Sequence, residues 1–543
     1  MKILAPFLLL ACGWLPLPGA PAGDPVPRAV VILWDSKAAT PAETLAARMA
    51  EPALWQLGLL VSYHDLRLPL PDLAHDPNTL GVLTWWPANR LPDPPRFVSW
   101  LETLIRAGKR VVCLGEPGID YDEAGQRTPP AIRARFWRLL GLADTGRWEQ
   151  VTYDQRILAS SSRVMGPGRP LPSVLPPFRT TVPAVSNLHS HLVVGPATRA
   201  SSPAPAAHLV VTSPAGGYVA AGYTHAELAA GERQWHLDPV AFLEEAFGVA
   251  GIPKPDPAVV SGRPVTLITA AEAPVSSFAR RHRGGSFPDA VAELAKAFPD
   301  LPFSLTSRGD GEPPRLANLL LSPLPANPAS QAPLASFQPR SIAIDPDVLA
   351  RSARTRQLMA SLRDLQAARV LPSSLADYAS DVERARRARI VRLGPNLWEI
   401  SPGVSSVRFD HAAGLDVDLT RSVGVIGRTR RDDRLFLTLD PAAQPARLAL
   451  QPSAAARHPY PLLIESRWRV TGVQASPGQL RCRMRGFGPG EMVWQVPVAG
   501  EWLVEAPSLQ ASYRVRVGAD LRLNTIVPLP AAGSLEIILR RAQ

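Results

Sequence analysis

The hexapeptide Ala29-Val30-Val31-Ile32-Leu33-Trp34 constrains this chain most. Six consecutive apolar residues without alternation, ended by Asp35-Ser36, read as a strand covered on both faces, which is the situation of a parallel sheet. The residues that follow fit one. Pro41 to Leu57 predicts a helix, with Thr40 as its cap and Pro41 at the first helical place. Leu59 to His64 and Leu80 to Trp85 predict two more strands, Pro95 to Ala107 a helix, and Arg110 to Leu114 a fourth strand. Strands alternating with helices through short turns give a parallel α/β sheet. His189 to Val194, His208 to Thr212 and Tyr218 to Tyr223 read as added strands. A helix over Pro239 to Phe247 and the Pro-rich run 252–257 close a first region, 27–257.

A second region, 259–392, opens with a strand at Pro264 to Thr269, then a helix at Asp289 to Phe298 and a short strand at Pro302 to Thr306. Residues 307–338 hold much Pro and little periodicity, apart from Leu319-Leu320-Leu321. Helices follow at Asp347 to Ala368 and Ser374 to Val391. In the latter, Arg384, Arg386, Arg387 and Arg389 alternate with Ala, the pattern of a solvated helix face rather than of an anion site. The third region, 396–543, contains only short alternating segments with Gly and Pro in the turns. That spacing predicts a β-sandwich or jelly roll. The expected class is therefore multidomain α/β plus β.

The first residues read as an export signal. Met1-Lys2 is basic, Ile3 to Leu17 is apolar but broken by Pro6, Gly13 and Pro16, and Ala20-Pro21-Ala22 has the form of a signal-peptidase site. Residues 1–22 are thus expected to be a signal peptide, and the mature chain periplasmic or secreted. Leu9-Leu10-Ala11-Cys12 also resembles a lipoprotein signal, which makes Cys12 a candidate lipidation site and a lipid anchor the one expected tie to a membrane. No later run reaches the ~20 apolar residues of a spanning helix. Cys113 and Cys482 lie far apart, so neither a disulfide scaffold nor a cysteine metal site is expected, and Cys113 reads as a buried free thiol.

The formal charge is +11, carried mostly by Arg. Export and the absence of any nucleic-acid reading motif leave nucleic acid unexpected as a partner; the charge fits codon bias toward Ala, Pro and Arg first, and otherwise an acidic membrane surface or an anionic glycan. No Walker loop, G-x-S-x-G elbow or H-E-x-x-H pair occurs. His189 and His191 share one face of a predicted strand, a geometry that can bind metal, but no third ligand lies nearby. The carboxyl ends of parallel strands are where open sheets bind ligands. Asp35, His64, Trp85 and Trp86 all fall there, so an acid, an imidazole and two indoles form a candidate glycan-binding rim, with turn and packing roles as the alternative.

Several stretches resemble the Pel-type exopolysaccharide deacetylase family. Trp34-Asp35-Ser36, Gly58-Leu59 through Tyr63-His64-Asp65, Gly81 to Trp85, Ala107 to Val112 and Val151 to Asp154 are similar to that family's flavodoxin-like domain. Asp238-Pro239 to Pro255-Asp256, followed by Gly262-Arg263-Pro264, resembles its passage into the deacetylase barrel. Tyr378-Ala379 to Arg389-Ile390 resembles its late helix, and Leu419 to Gly427 the entry to its terminal β-domain. The resemblance covers nearly the whole mature chain through many weak motifs. The glycoside hydrolase domain that such proteins carry first has no counterpart here. The resemblance implies a flavodoxin-like domain, a truncated deacetylase-like β/α barrel and a C-terminal β-sandwich.

It also implies a metal held by Asp and two His, with a carboxylate base, at an H-x-D-G-D-G strand end. The matching residues here run Ile268-Thr269-Ala270-Ala271-Glu272-Ala273. Ala270 stands at the base position, and Glu272 occupies a vestigial metal position. Only His282 of the ten histidines lies in the second region, and no H-x-x-x-H spacing exists. A lone Glu cannot supply three protein ligands, so no metal, cofactor or catalytic residue is expected. The expectation is an exported non-catalytic relative that binds a polysaccharide or an envelope secretion protein. The alternatives are an enzyme of another class, with Asp35 and His64 as acid and base, and a structural subunit of an envelope complex.

Overall fold

The computed structural model describes residues 23–86, 88–149, 155–160, 178–196, 207–213, 215–219, 225–227, 233–235, 243–244, 254–260, 265–271, 287–298, 301, 303–306, 319–321, 340–344, 352–367, 371–431, 433–442, 445–455, 458–488, 490–527 and 533–542. Parallel α/β layers and antiparallel β layers are both present, so the chain has a mixed α/β plus β architecture.

The apolar hexapeptide forms the strand Ala29–Trp34, flanked in parallel by Leu60–Asp65 and Thr79–Trp86. Arg110–Gly115 adds to Thr79–Trp86, and Gly216–Val219 adds to Arg110–Gly115, both parallel. Ala207–Ser213, His189–Pro196 and Gln155–Ser160 then extend the sheet antiparallel to eight strands. One core fills this layer, from Val30 and Ile32 through Val82, Leu83, Phe97 and Val112 to Phe136 and Trp137. The Pro94–Arg106 helix starts where Asp93 accepts the Arg96 amide at 3.0 Å, with Pro at its first place. The helix expected over 41–57 is broken up. Thr40 donates its amide and its hydroxyl to Glu43 (2.9 and 2.8 Å), a short Pro41–Glu43 turn and a wide Ala46–Ala50 turn follow, and only Glu51–Gln56 is α-helical. Pro52 accounts for the irregularity, because its ring lacks the N–H that an uninterrupted helix would need there.

In the second region Val265–Ala271 is the centre of a small parallel sheet. Phe303–Thr306 and then Leu319–Leu321 lie on one side, and Arg340–Ile344 on the other; Leu371–Pro372 pairs with the start of the central strand. The Phe287–Ala297 helix is the crossover between the first two strands. Among the described residues no pairing joins Leu319–Leu321 to Arg340–Ile344.

The last part is larger than one sandwich. A seven-stranded sheet, from Ala258–Val259 to Arg522–Val527, packs one half against the sheet holding Ile390–Gly394, Leu397–Ile400 and Ala446–Pro452. Its other half packs against the antiparallel sheet holding Arg469–Ser476, Gln479–Gly486, Gly533–Arg541, Gly500–Ala506 and Ala511–Val517. Trp398 and Phe409 centre the first core; Trp468, Trp494 and Trp502 centre the second. Ile390–Gly394, which the sequence places at the end of the second region, belongs to this part, and so does Asp24–Pro25, which pairs with it. The helix read as running to Val391 ends at Arg387 because Ala388 leaves the helical conformation (φ −59°, ψ 135°), and the strand begins two residues later at Ile390.

The Leu375–Arg387 helix joins the layers. Ser374 caps it by accepting the Asp377 amide at 3.1 Å. Arg386 lies 5.1 Å over the Trp55 ring and 3.1 Å from Glu51, and the buried Arg28 donates to the Ala385 carbonyl at 2.5 Å. On the other side Asp381 pairs with Arg469 at 2.5 Å and Asp377 with Arg485 at 3.4 Å. Arg386 is exposed, yet it ties the helix to Glu51 and Trp55, so the arginines do more than solvate a face.

Candidate functional site

The carboxyl edge of the parallel strands carries a chain of charged side chains. Leu33 pairs with His64 and Trp34 with Asp65, so Asp35 and Asp65 leave the sheet side by side. Asp65 Oδ1 accepts the backbone amides of Ser36 (3.3 Å) and Arg67 (3.1 Å), which ties the two exit loops together. Burial pushes the Asp65 carboxyl up, and the hydrogen bonds from Ser36 and Arg67 outweigh it and hold the group below the usual carboxylate range. Arg67 is thereby aimed at Asp35, with Nε 2.5 Å from Oδ1 and Nη2 3.2 Å from Oδ2.

The far side of Arg67 meets Glu123, with Nη1 at 3.2 and 3.3 Å from its two oxygens. Lys37 Nζ reaches the same carboxylate at 2.5 Å. Glu123 is delivered by a tight turn in which Asp122 Oδ1 accepts the Gln126 amide at 2.7 Å and Gly125 takes a left-handed φ of 79°. Lys37 first, and Arg67 second, hold the Glu123 carboxyl down to about 2. A cavity of about 160 Å³ adjoins this chain, lined by Leu66, Arg67, Leu70, Asp93, Arg96 and Phe97 among others. Enclosing pockets for drug-sized ligands run to roughly 300–1,000 Å³, so this one is too small to enclose such a ligand. Together the edge offers fixed donors and acceptors of both signs, the chemistry that recognises hydroxyls.

The four residues expected to form a glycan rim are not brought together. Asp35 is at the edge. His64 is half-buried, with no hydrogen-bond partner for Nε2, and it is not among the partners of Asp35 within the described residues. Trp85 and Trp86 are 3% and 5% exposed and pack inside the core, Trp86 edge-on to Phe97 with centroids 6.4 Å apart. Their indoles present no open face for a sugar ring. All positions of Thr79–Trp86 but Leu80 are buried, the last two included. Of the metal readings, the side chain of His191 and all of Glu272 lie outside the described residues, and His189 is exposed; the lipidation candidate Cys12 and the second region's His282 also lie outside the described residues. Within the described residues no three His, Cys, Asp or Glu side chains are grouped to hold a metal ion. Cys113 and Cys482 are buried free thiols, each pushed up to about 12 by burial.

Sequence reasoning missed Arg67, Glu123 and a second polar cluster. Glu116 follows the Arg110–Gly115 strand directly, and that placement was legible. Asp120 and Asp144 share Arg179, which is 3% exposed and lies 5.0 Å over Trp148, itself 40% exposed. Asn89 donates to Asp120 at 2.7 Å. Burial raises the Glu116 carboxyl; Arg179 opposes, while Asp120 and Asp144 add to the rise.

No known protein-family profile matches this sequence, and no curated protein matches it. Among solved structures, a cold-adapted β-galactosidase from Rahnella sp. R3 aligns over 42% of this chain and 32% of its own, at 15% identity and a TM-score of 0.26. The aligned part spans about a third of that enzyme's length, and a score so low establishes neither a shared topology nor a shared activity.

Proposed function

We propose that this chain is an exported, non-catalytic relative of the Pel-type deacetylases that binds a polysaccharide or an envelope secretion protein during exopolysaccharide production. The observation that carries the reading is the strand Val265–Ala271. It is the centre of a small parallel sheet, and Ala270 near its end stands where the resemblance puts the family's base carboxylate. An alanine cannot take a proton, and the resemblance leaves Glu272 alone at the metal position.

Two further features support it. The first five parallel strands run in the order Leu60–Asp65, Ala29–Trp34, Thr79–Trp86, Arg110–Gly115, Gly216–Val219. That is second-first-third-fourth-fifth along the chain, the flavodoxin-like order. The edge built by Asp35, Lys37, Arg67 and Glu123 supplies oriented charge-assisted hydrogen bonds suited to saccharide hydroxyls.

Two measurements test the proposal. Amino-sugar oligomers are incubated with the protein and added zinc or cobalt; metal-dependent acetate release would overturn the non-catalytic reading. A glycan array then reads binding. Silence on every glycan, with co-purification of an envelope protein, favours the secretion-partner arm; silence on both removes the proposal.

A further inference from the structure

The outermost sheet of the C-terminal part carries an arginine face. In Gln479–Gly486 the residues alternate strictly: Leu480, Cys482 and Met484 enter the core, while Arg481, Arg483 and Arg485 are exposed. Cross-strand register carries the same face over the whole sheet. Arg481 pairs with Ile538, Arg483 with Glu536, and Gln479 with Arg540. Beyond these, Leu503 pairs with Arg540 and Arg514, and Glu501 with Arg516. Directly opposed residues of an antiparallel pair share a face, so these side chains form one surface. Ile538 lies on it between Arg481 and Glu505 and is buried.

Every cation on this surface is Arg. Glu536, Glu505 and Glu501 pair with Arg481 (3.7 Å), Arg540 (3.1 Å) and Arg514 (3.5 Å). Arg481, Arg483, Arg485, Arg514, Arg516 and Arg540 outnumber these three glutamates, so the face stays positive. Arg483 and Arg516, both exposed, have no acid partner among the described contacts. The Leu375–Arg387 helix covers only the corner at Arg469 and Arg485. Side chains two apart on a strand are about 7 Å apart, so Arg481, Arg483 and Arg485 form a row along Gln479–Gly486, and Arg514 and Arg516 form a second row along Ala511–Val517, with Arg540 between them. Guanidinium forks favour carboxylates and sulfates over neutral hydroxyls.

We propose that this face binds an acidic polysaccharide, a polymer with repeating carboxylates. The inference deepens the polysaccharide reading by assigning the charge of the polymer and a place on the chain remote from the α/β sheet edge. A polymer is favoured over a lipid surface because, among the described residues, no exposed large apolar side chain stands on the strands of this face to enter a bilayer.

The test is retention of the full chain on immobilised alginate, compared with dextran and with vesicles of phosphatidylcholine containing phosphatidylglycerol. The expected result is binding to alginate, absent on dextran, that weakens as salt is raised. The double variant Arg483→Glu/Arg516→Glu should lose about tenfold in affinity, and Arg138→Glu, an exposed helix position elsewhere, should lose less than about twofold. Equal loss in both variants, or no alginate binding by the wild type, overturns the proposal. Binding to the vesicles alone overturns it in favour of a membrane surface. If alginate fails while the array finds a neutral or amino-sugar glycan, this inference falls and the polysaccharide reading stands.

Discussion

Arg67 holds Asp35 by two parallel hydrogen bonds, Nε to Oδ1 at 2.5 Å and Nη2 to Oδ2 at 3.2 Å, and passes its remaining nitrogen to Glu123. The pair fixes the carboxylate that the sequence places at a strand end. If this edge seats a saccharide, Arg67→Gln should reduce affinity about five- to tenfold, the loss of roughly one charge-assisted hydrogen bond. Pairs this exposed are screened by solvent, so the melting temperature should stay near that of the wild type. Glycan titration alongside a thermal melt checks both; unchanged affinity would remove the edge from the binding site.

How much of this was legible follows from what kind of signal each residue left. The strands Ala29–Trp34 and Arg110–Gly115 were readable because burial on both faces writes an unbroken apolar run. Asp35 was readable because it ends one. Arg67 and Glu123 sit in loops and meet across 56 residues, so nothing local in the sequence pairs them. Trp85 and Trp86 misled for the opposite reason: indoles serve cores and sugar sites equally, and only packing decides. The second sandwich core was hidden because a shared seven-stranded sheet leaves the same alternating pattern as a single sandwich.

Trp86 gives the sharpest test of its corrected role. Its ring meets Phe97 at 79°, and Gly118 comes so close that a Cβ there would be 2.9 Å from Trp86 Cδ1. Trp86→Ala should cost about 3–5 kcal/mol of stability, the usual penalty for emptying an aromatic site. Urea unfolding reads this. A stability loss under about 1 kcal/mol together with lost glycan binding would return the indole to the binding surface.

Glu116 predicts a pH dependence. Its carboxyl is raised in the folded chain, so the folded state binds the proton more tightly than the unfolded one. Stability from this group is then greatest below the ordinary Glu value of 4.5 and falls as pH rises through the raised folded value. Glu116→Gln should accordingly raise the melting temperature at pH 7.5 and change it little at pH 4. A gain of the same size at both pH values would mean that the effect is not titration.

Glu51 joins three elements. It accepts from Tyr63 Oη at 2.5 Å, Trp55 Nε1 at 3.2 Å and Arg386 Nη2 at 3.1 Å. Tyr63 is pushed above its ordinary value by burial and then by Glu51, so it remains a donor throughout the physiological range. Glu51→Ala strands a partly buried hydroxyl and should cost about 1–3 kcal/mol. In a double-mutant cycle with Arg386→Ala the two losses should fall short of additivity, because the helix strut is removed by either change. Strict additivity would mean that the helix is held elsewhere.

Trp468 predicts where the second sandwich core is least forgiving. It is 2% exposed, and its Nε1 donates to the Gly488 carbonyl at 3.2 Å, so neither its ring nor its polar end can shift freely. Gly486 and Gly490 close on it from both sides. A Cβ at Gly490 would lie 2.8 Å from Trp468 Cε2, and one at Gly486 would overlap the five-membered ring. Neither glycine has a positive φ, so the demand is for space and not for backbone freedom. Gly486→Ala should therefore cost about 1–3 kcal/mol through overpacking. Trp468→Phe alone should also destabilise, since it leaves a void and loses the N–H donor. Combined, the two should cost less than their sum, because the smaller ring makes room for the added methyl. Urea midpoints of the four proteins decide it, and additive losses would show that the glycine is kept for something other than the indole beside it.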